Sequence, residues 1–185
     1  MKNSLQKTIS ASAKGNTFDA FGDNLVATLA SHIAFDRLNI GLIDLNRYQF
    51  KDVYVFGRNV DGRGRGHLRT LKNTVVEAGI RSGEGYFFGT SETDEWLKHF
   101  PNFGPVLKSG IRSMLSVPVT ANDKIIAALV LAARDPKAYT TDSLKLATAA
   151  AEIITPTLRN RVTQEHERTL ILLNLLGPTR AFLFP

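Results

Sequence analysis

Residues 110–136, GIRSMLSVPVTANDKIIAALVLAARDP, hold two apolar strands joined by a short polar turn, and the rest of the chain can be arranged around them. In the first strand Leu115, Val117 and Val119 share one face while Met114, Ser116 and Pro118 share the other. Pro118 has no N–H to give to a ladder, so it is expected at a strand end or in a bulge. Residues 120–123 form the turn. From Lys124 to Ala133 the sequence is apolar at both odd and even positions, and a strand apolar on both faces is covered on both. Its alanines allow a helix to come close.

Downstream, Arg134-Asp135-Pro136 stops the strand, and Thr140 or Thr141 is placed to cap a long helix. Leu144, Ala147, Ala151, Ile154 and Leu158 make one apolar line on that helix, and Leu146, Ala150, Ile153 and Thr157 make a second beside it. Pro156 removes one backbone hydrogen bond and is expected to bend the helix. Past it, Leu158, Val162, His166, Thr169, Leu173 and Leu176 keep a weak coiled-coil-like spacing until Gly177-Pro178. The tail TRAFLFP reads either as the start of a linker to a further domain or as foreign sequence.

Upstream, a polar leader precedes Phe18, Phe21, Leu25, Leu29 and Ile33, which fall on one face of a helix capped by Asn16 or Thr17 and ending near Ala34. The period then changes to two. Residues 37–45 alternate Leu38, Ile40 and Leu42 against Arg37, Asn39 and Gly41, and residues 48–57 continue as an aromatic and β-branched strand. The two-residue link Asn46-Arg47 argues an antiparallel hairpin. Gly41 marks a bulge or a close approach to the backbone.

Residues 58–66, RNVDGRGRG, form a glycine-rich basic loop whose spacing fits no phosphate-binding fingerprint. It reads as a solvated hairpin loop or, alternatively, as a contact for an anion or nucleic acid. Residues 67–71 suggest a short strand, and Thr74 to Glu77 matches a capping box for a short helix ending at Ser82-Gly83. From Tyr86 to Lys108, aromatics are concentrated in short elements interrupted by PNFGP, a pattern that suits either a cover over a cavity or a satellite core.

Composition removes several function classes. The 185 residues contain no cysteine, so disulfides, thiolate metal sites and thiol catalysis are excluded. His32, His67, His99 and His166 have no metal-ligand spacing, and no nucleophile elbow or P-loop is present, so neither a metal site nor catalysis is expected. The longest apolar run, residues 125–133, is nine long against the roughly 20 needed to span a membrane. With no apolar core of a secretory signal in MKNSLQKTIS, a cytoplasmic module without membrane partners is expected. The formal charge is +6, and five basic residues against one acid lie between Arg58 and Lys72, in one short segment and not along a helix.

Four segments in order carry a family resemblance. FDRLNIGLID (residues 35–44) after its helix, GIRSMLSVPV (110–119), the strand from Lys124 to Ala132, and YTTDSL (139–144) resemble the successive motifs of a GAF domain over roughly residues 18–158. The resemblance implies an α+β fold: a six-stranded antiparallel sheet with the terminal helices on one face and short helices over a ligand pocket on the other. It divides the chain into a leader (1–17), a sensor domain (18–158) and a helical linker and tail (159–185). It further implies a non-enzymatic, small-molecule-sensing part of a multidomain signalling protein, relaying ligand state to an output domain through the last helix. The terminal helices would form a homodimer, and a ligand-free dimerisation and relay module is the alternative. Nucleic-acid contact through residues 58–72 is a third. The pocket is expected among Tyr54, Phe56, Phe87, Phe88, Trp96, Phe100, Arg112, Ser113 and Ser116, with Arg112 as the partner of an anionic group. No ligand or cofactor is assigned. Without cysteine a covalently attached bilin is not expected, and the cyclic-nucleotide pattern of the family is not reproduced.

Overall fold

The structure, a computed structural model, describes residues 17–176, with side chains to Thr163. The leader before Thr17, Asn16 as a cap, the seam side chains beyond Thr163 and the tail from Gly177 lie outside the described residues.

The first helix, α1 (Phe18–Ala30), is capped by Thr17, whose hydroxyl accepts from the Ala20 N–H at 3.3 Å. It ends four residues before the expected Ala34. The N–H groups of His32 and Ile33 both return to the Leu29 carbonyl, so the chain turns early while Ile33 still reaches the core. Strands β1 (Arg37–Asp44) and β2 (Gln49–Gly57) form the expected antiparallel hairpin. Their register shifts between Ile40 and Gly41, and a Cβ on Gly41 would stand 2.8 Å from the Phe50 ring, so this glycine serves both a bulge and a close approach.

Strand β3 (Leu68–Thr70) edges the sheet beside β2, and α2 (Val75–Ser82) follows. Thr74 caps α2 by accepting from Glu77 N–H at 3.1 Å. The return bond of the capping box goes one residue further back, from Asn73 N–H to Glu77 Oε2 at 2.7 Å. Gly83, at φ 76°, supplies the left-handed C-cap. Strand β4 (Tyr86–Gly89) then leads to α3 (Thr93–His99), a single 3₁₀ turn (Pro101–Phe103) and α4 (Gly104–Lys108). Strands β5 (Ser113–Ala121) and β6 (Lys124–Ala133) make the second hairpin, turned at Asn122 and Asp123 with φ of 50° and 59°. Pro118 lies inside β5, paired with Ala128, one residue before the bulge at Val119 and past the last residue that β4 pairs, so its missing N–H breaks no ladder.

The antiparallel sheet has the order β3-β2-β1-β6-β5-β4. One face meets α1 and α5 (Thr141–Leu176), with Leu38, Ile40, Leu115, Leu129 and Leu131 packed against Leu25, Leu29, Ala147, Ile154 and Leu158. The other face carries Ala128, Val130 and Ala132, and is roofed by α2, α3, the 3₁₀ turn and α4 through Val76, Trp96, Phe103, Val106 and Ile111. Strand β6 is therefore covered on both sides, as its doubly apolar sequence requires. Each fully buried leucine contributes about 1.5–3 kcal/mol. Pro156 lies inside α5, where it removes one backbone donor.

Candidate ligand-binding site

The roofed face is divided. Its β5–β6 half and the roof above it are apolar, but its β1–β2–β3 half is built from charge. Arg37 and Asn39, the polar positions that alternate with Leu38 and Ile40, are each only 5% exposed because β1 is central and covered on both faces. Asp52 on β2 is fully buried and receives Asn39 Nδ2 at 2.8 Å, and Arg69 of β3 closes an ion pair with it. The Arg69 guanidinium lies 4.2 Å over the Phe50 ring.

The basic loop supplies the third arginine. Arg37 holds this loop from below, donating from Nη1 to the Arg58 carbonyl at 2.7 Å and from Nη2 to the Arg63 carbonyl. Arg63 turns inward, donates from Nη2 to the Asn102 carbonyl at 2.8 Å and lies 5.0 Å over the Phe103 ring. Arg58 donates to the Ser109 carbonyl, and Arg65 pairs with Asp19 at 2.6 Å. The loop is thus strapped to the roof and to α1 and is not a freely solvated hairpin. Four of the five basic residues between Arg58 and Lys72 are engaged inside the domain.

Between these parts lies a cavity of about 20 Å³, room for about one water. Arg37, Asn39, Arg63 and Arg69 stand on its charged side, and Val76, Phe103, Val106, Ile111 and Met114 on its apolar side. Burial lowers the pKa of all three arginines; repulsion from Arg69 and Arg37 adds to this at Arg63, bringing it to about 10 against the pull of Asp52. Arg63, at about 10, still carries its proton at neutral pH. Burial raises the pKa of Asp52, against the opposing attraction of Arg69, the Asn39 hydrogen bond and Arg37. A larger, open depression of about 320 Å³ lies beside α5, between Glu84, Pro118, Thr148 and Glu152. It is a solvent-facing groove without a buried polar group at its floor, so the smaller, charged cavity is the candidate site.

The residues anticipated from sequence are divided between the two faces. Phe88, Trp96 and Phe100 are in the roofed cluster, where Trp96 stacks on Phe103 at 5.5 Å, one ring removed from the cavity. Ser116 also faces this side; it is 1% exposed, and its Oγ has no partner among the described residues. Tyr54 lies on the terminal-helix face, where its hydroxyl donates to Asp23 at 2.7 Å, because the β1–β2 bulge flips the alternation of β2. Phe87, opposite Leu115, packs on that same face, and Phe56 packs edge-on against Phe35. Ser113 donates to the Asp135 carbonyl at 2.6 Å at the end of β5. Arg112 donates to the carbonyls of Leu107 and Ile111 at 2.9 and 2.8 Å, closing the α4–β5 connection, and it does not reach the cavity. Of the polar set Arg37, Asn39, Asp52, Arg63 and Arg69, only Arg63 and Arg69 lay in a segment, residues 58–72, already offered as an anion contact; Arg37, Asn39 and Asp52 were not anticipated. Their signal was the polar face of β1, a strand that the fold buries on both sides.

No described helix is long and apolar enough to cross a membrane, and the described residues contain no cluster of three potential metal ligands. The fold is shared with solved structures. The GAF domain of a two-component sensor histidine kinase from Bacillus halodurans superposes with a TM-score of 0.66 at 14% identity, covering 80% of this chain and 98% of that one. The GAF domain of a phosphoenolpyruvate-protein phosphotransferase from Acinetobacter gives 0.63 at 16% identity, over 86% and 93%. A free methionine-R-sulfoxide reductase from Neisseria meningitidis, in complex with its substrate, gives 0.61 at 17% identity, over 88% and 89%. No curated protein matches the chain in sequence. The sequence model of the GAF domain matches residues 15–159, most of the chain, and with the fold already built from these residues it follows that this protein belongs to the GAF domain family.

Proposed function

We propose that this domain is a non-catalytic, small-molecule-sensing module of a signalling protein. The observation that carries the proposal is the cavity lined by three guanidinium groups, with Asp52 behind its wall pairing with Arg69 alone. Such a charge imbalance costs stability, and a domain gains nothing from it unless something else balances it. The cysteine-free sequence supports a regulatory reading over thiol chemistry.

The route from site to output is in the sheet. Strands β5 and β6 send Met114, Val130 and Ala132 toward the cavity and the alternate residues Leu115, Leu129 and Leu131 against α5. A ligand that shifts these strands shifts the bed of α5, and the segment after residue 158 would carry the change toward an output domain. The roof consists of elements of three to eight residues separated by Gly and Pro, so opening it disrupts little regular structure. The test is a thermal-shift and tryptophan-fluorescence screen of central metabolites on the full chain, which contains one tryptophan, Trp96. A hit that also moves NMR signals of Met114 and Val106 supports the site. A broad library in which no compound does either overturns it.

A homodimer through the terminal helices has its own support. Leu146 and Ile153 on α5 are only partly buried, although they lie beside the fully buried Ala147 and Ile154. Light scattering is expected to give twice the chain mass, and replacing Leu146 and Ile153 by glutamate is expected to give the monomer. Wild-type protein that stays monomeric at high concentration contradicts this second reading and leaves the cavity untouched.

A further inference from the structure

We infer that the cavity takes a short-chain monocarboxylate, its head on Arg63 and Arg69 and its apolar chain against Val106, Ile111 and Met114. This rests on the cavity being the sensing site, and it assigns the chemical class of what enters.

The first argument is charge. Among the described residues, Asp52 is the carboxylate that pairs with the cluster, and it is bound to Arg69 and Asn39. Arg37 spends two donors on backbone carbonyls, and Arg63 bonds one carbonyl and otherwise lies on an aromatic ring. The Nε of Arg69 is buried without a hydrogen-bond partner. Buried donors of this kind need an acceptor, and a guanidinium fork matches the two oxygens of a carboxylate.

The second argument is shape. The arginines come from β1, the loop after β2 and β3, and apart from the Thr74 hydroxyl the lining supplied by the roof, β5 and β6 has no donor. That hydroxyl already donates to the Leu71 carbonyl and accepts from Glu77 N–H. A phosphate would turn at least one oxygen toward apolar side chains, which costs the desolvation of a charged group. A carboxylate has its oxygens on one end and carbon on the other, and so satisfies both sides. The present volume of about 20 Å³ is too small for a chain of several carbons, so binding requires the roof to move outward, and the stacked Trp96–Phe103 pair would report that movement.

The experiment titrates the full chain with acetate, butyrate and hexanoate, with hexanamide, and with inorganic phosphate, reading Trp96 fluorescence and thermal stability. The expected result is affinity rising by roughly tenfold for each two methylenes, with hexanamide and phosphate weaker than hexanoate by at least that factor. Arg63→Gln is expected to abolish the preference of hexanoate over hexanamide, and Arg63→Lys to restore part of it. If Arg63→Gln does not fold, the acid-to-amide ratio on the unaltered protein decides alone. Hexanamide binding as well as hexanoate, or phosphate binding with no gain along the acid series, overturns the carboxylate assignment while a small-molecule site survives. The same holds if other metabolites bind the cavity and the acids do not. If the acids and every other compound leave Trp96 and the melting temperature unchanged, the sensing reading itself fails.

Discussion

On the terminal-helix face of the sheet, Leu38, Ile40, Leu129 and Leu131 meet Leu25, Leu29, Ala147 and Ile154, apolar against apolar, with alanines where α5 comes closest. On the roofed face of the same strands, Arg37 and Asn39 lie beside Asp52, Arg63 and Arg69, and a cavity is left between this charge and an apolar roof. The two faces are made by alternate residues of one chain, so neither can change without the other. The first face has the composition that maximises stability. The second gives some of it up, since a buried ionic cluster seldom outperforms an apolar core of the same volume. A region that departs from the stability optimum in this ordered way is where function is expected.

That contrast can be broken at four places, taken from the largest effect down. Asp52→Ala removes the carboxylate from among three guanidinium groups and is expected to lower the unfolding free energy by about 3–5 kcal/mol in urea denaturation; a loss under about 1 kcal/mol would show that water already balances the arginines. On the other face, Leu131→Ala opens a void in a fully buried site and is expected to cost about 3 kcal/mol with the ligand response intact. A change in ligand affinity with Leu131→Ala would instead show that the two faces are energetically one unit.

Gly22→Ala tests the fit of α1, because a Cβ at this position would run into the Tyr54 ring. Moving that ring is expected to cost about 1–3 kcal/mol, seen as a lower melting temperature without loss of the cavity's response. The smallest effect is expected at Glu77. Burial alone would raise its pKa, but hydrogen bonds from Tyr48 and the Asn73 N–H, with the charges of Arg81 and Lys72, bring it below its ordinary 4.5. A lowered carboxylate pKa contributes stability that is present above the unfolded value and is lost as pH falls through the folded one. Glu77→Gln should therefore flatten the acid limb of the stability curve below pH 4.5 and cost about 1 kcal/mol at neutral pH. An unchanged acid limb would show that the Glu77 contacts carry no net energy.

Much of the first face was legible in the residues. The alternation Leu115-Val117-Val119, the doubly apolar run after Lys124 and the helical spacing in residues 18–29 and 144–158 each follow from local periodicity and lie where expected, although α1 stops at Ala30, short of Ala34. The site was less legible. Trp96, Phe88 and Phe100 were expected to line the pocket and lie in the roofed cluster without lining the cavity, and Tyr54 and Phe87 belong to the opposite face. For Tyr54 the cause is a single bulge at Ile40/Gly41, which shifts every later side chain of β2 by one position. Arg112 had the right chemistry for an anion, yet two carbonyls of its own connection hold it.

By itself, then, the sequence determined the elements, their order, the two-sided burial of β6 and the family, since all of these are written in spacing and residue type. Only the tertiary structure decided where the charge goes. Arg37, Asp52, Arg63 and Arg69 come from a central strand, its neighbour, a loop and an edge strand, and no local pattern says that such residues meet. In the sequence they read as the polar side of a strand and a basic loop, either solvated or in contact with an anion or nucleic acid. It is the roof of short helices, closing over that side and excluding water, that turns them into a buried site.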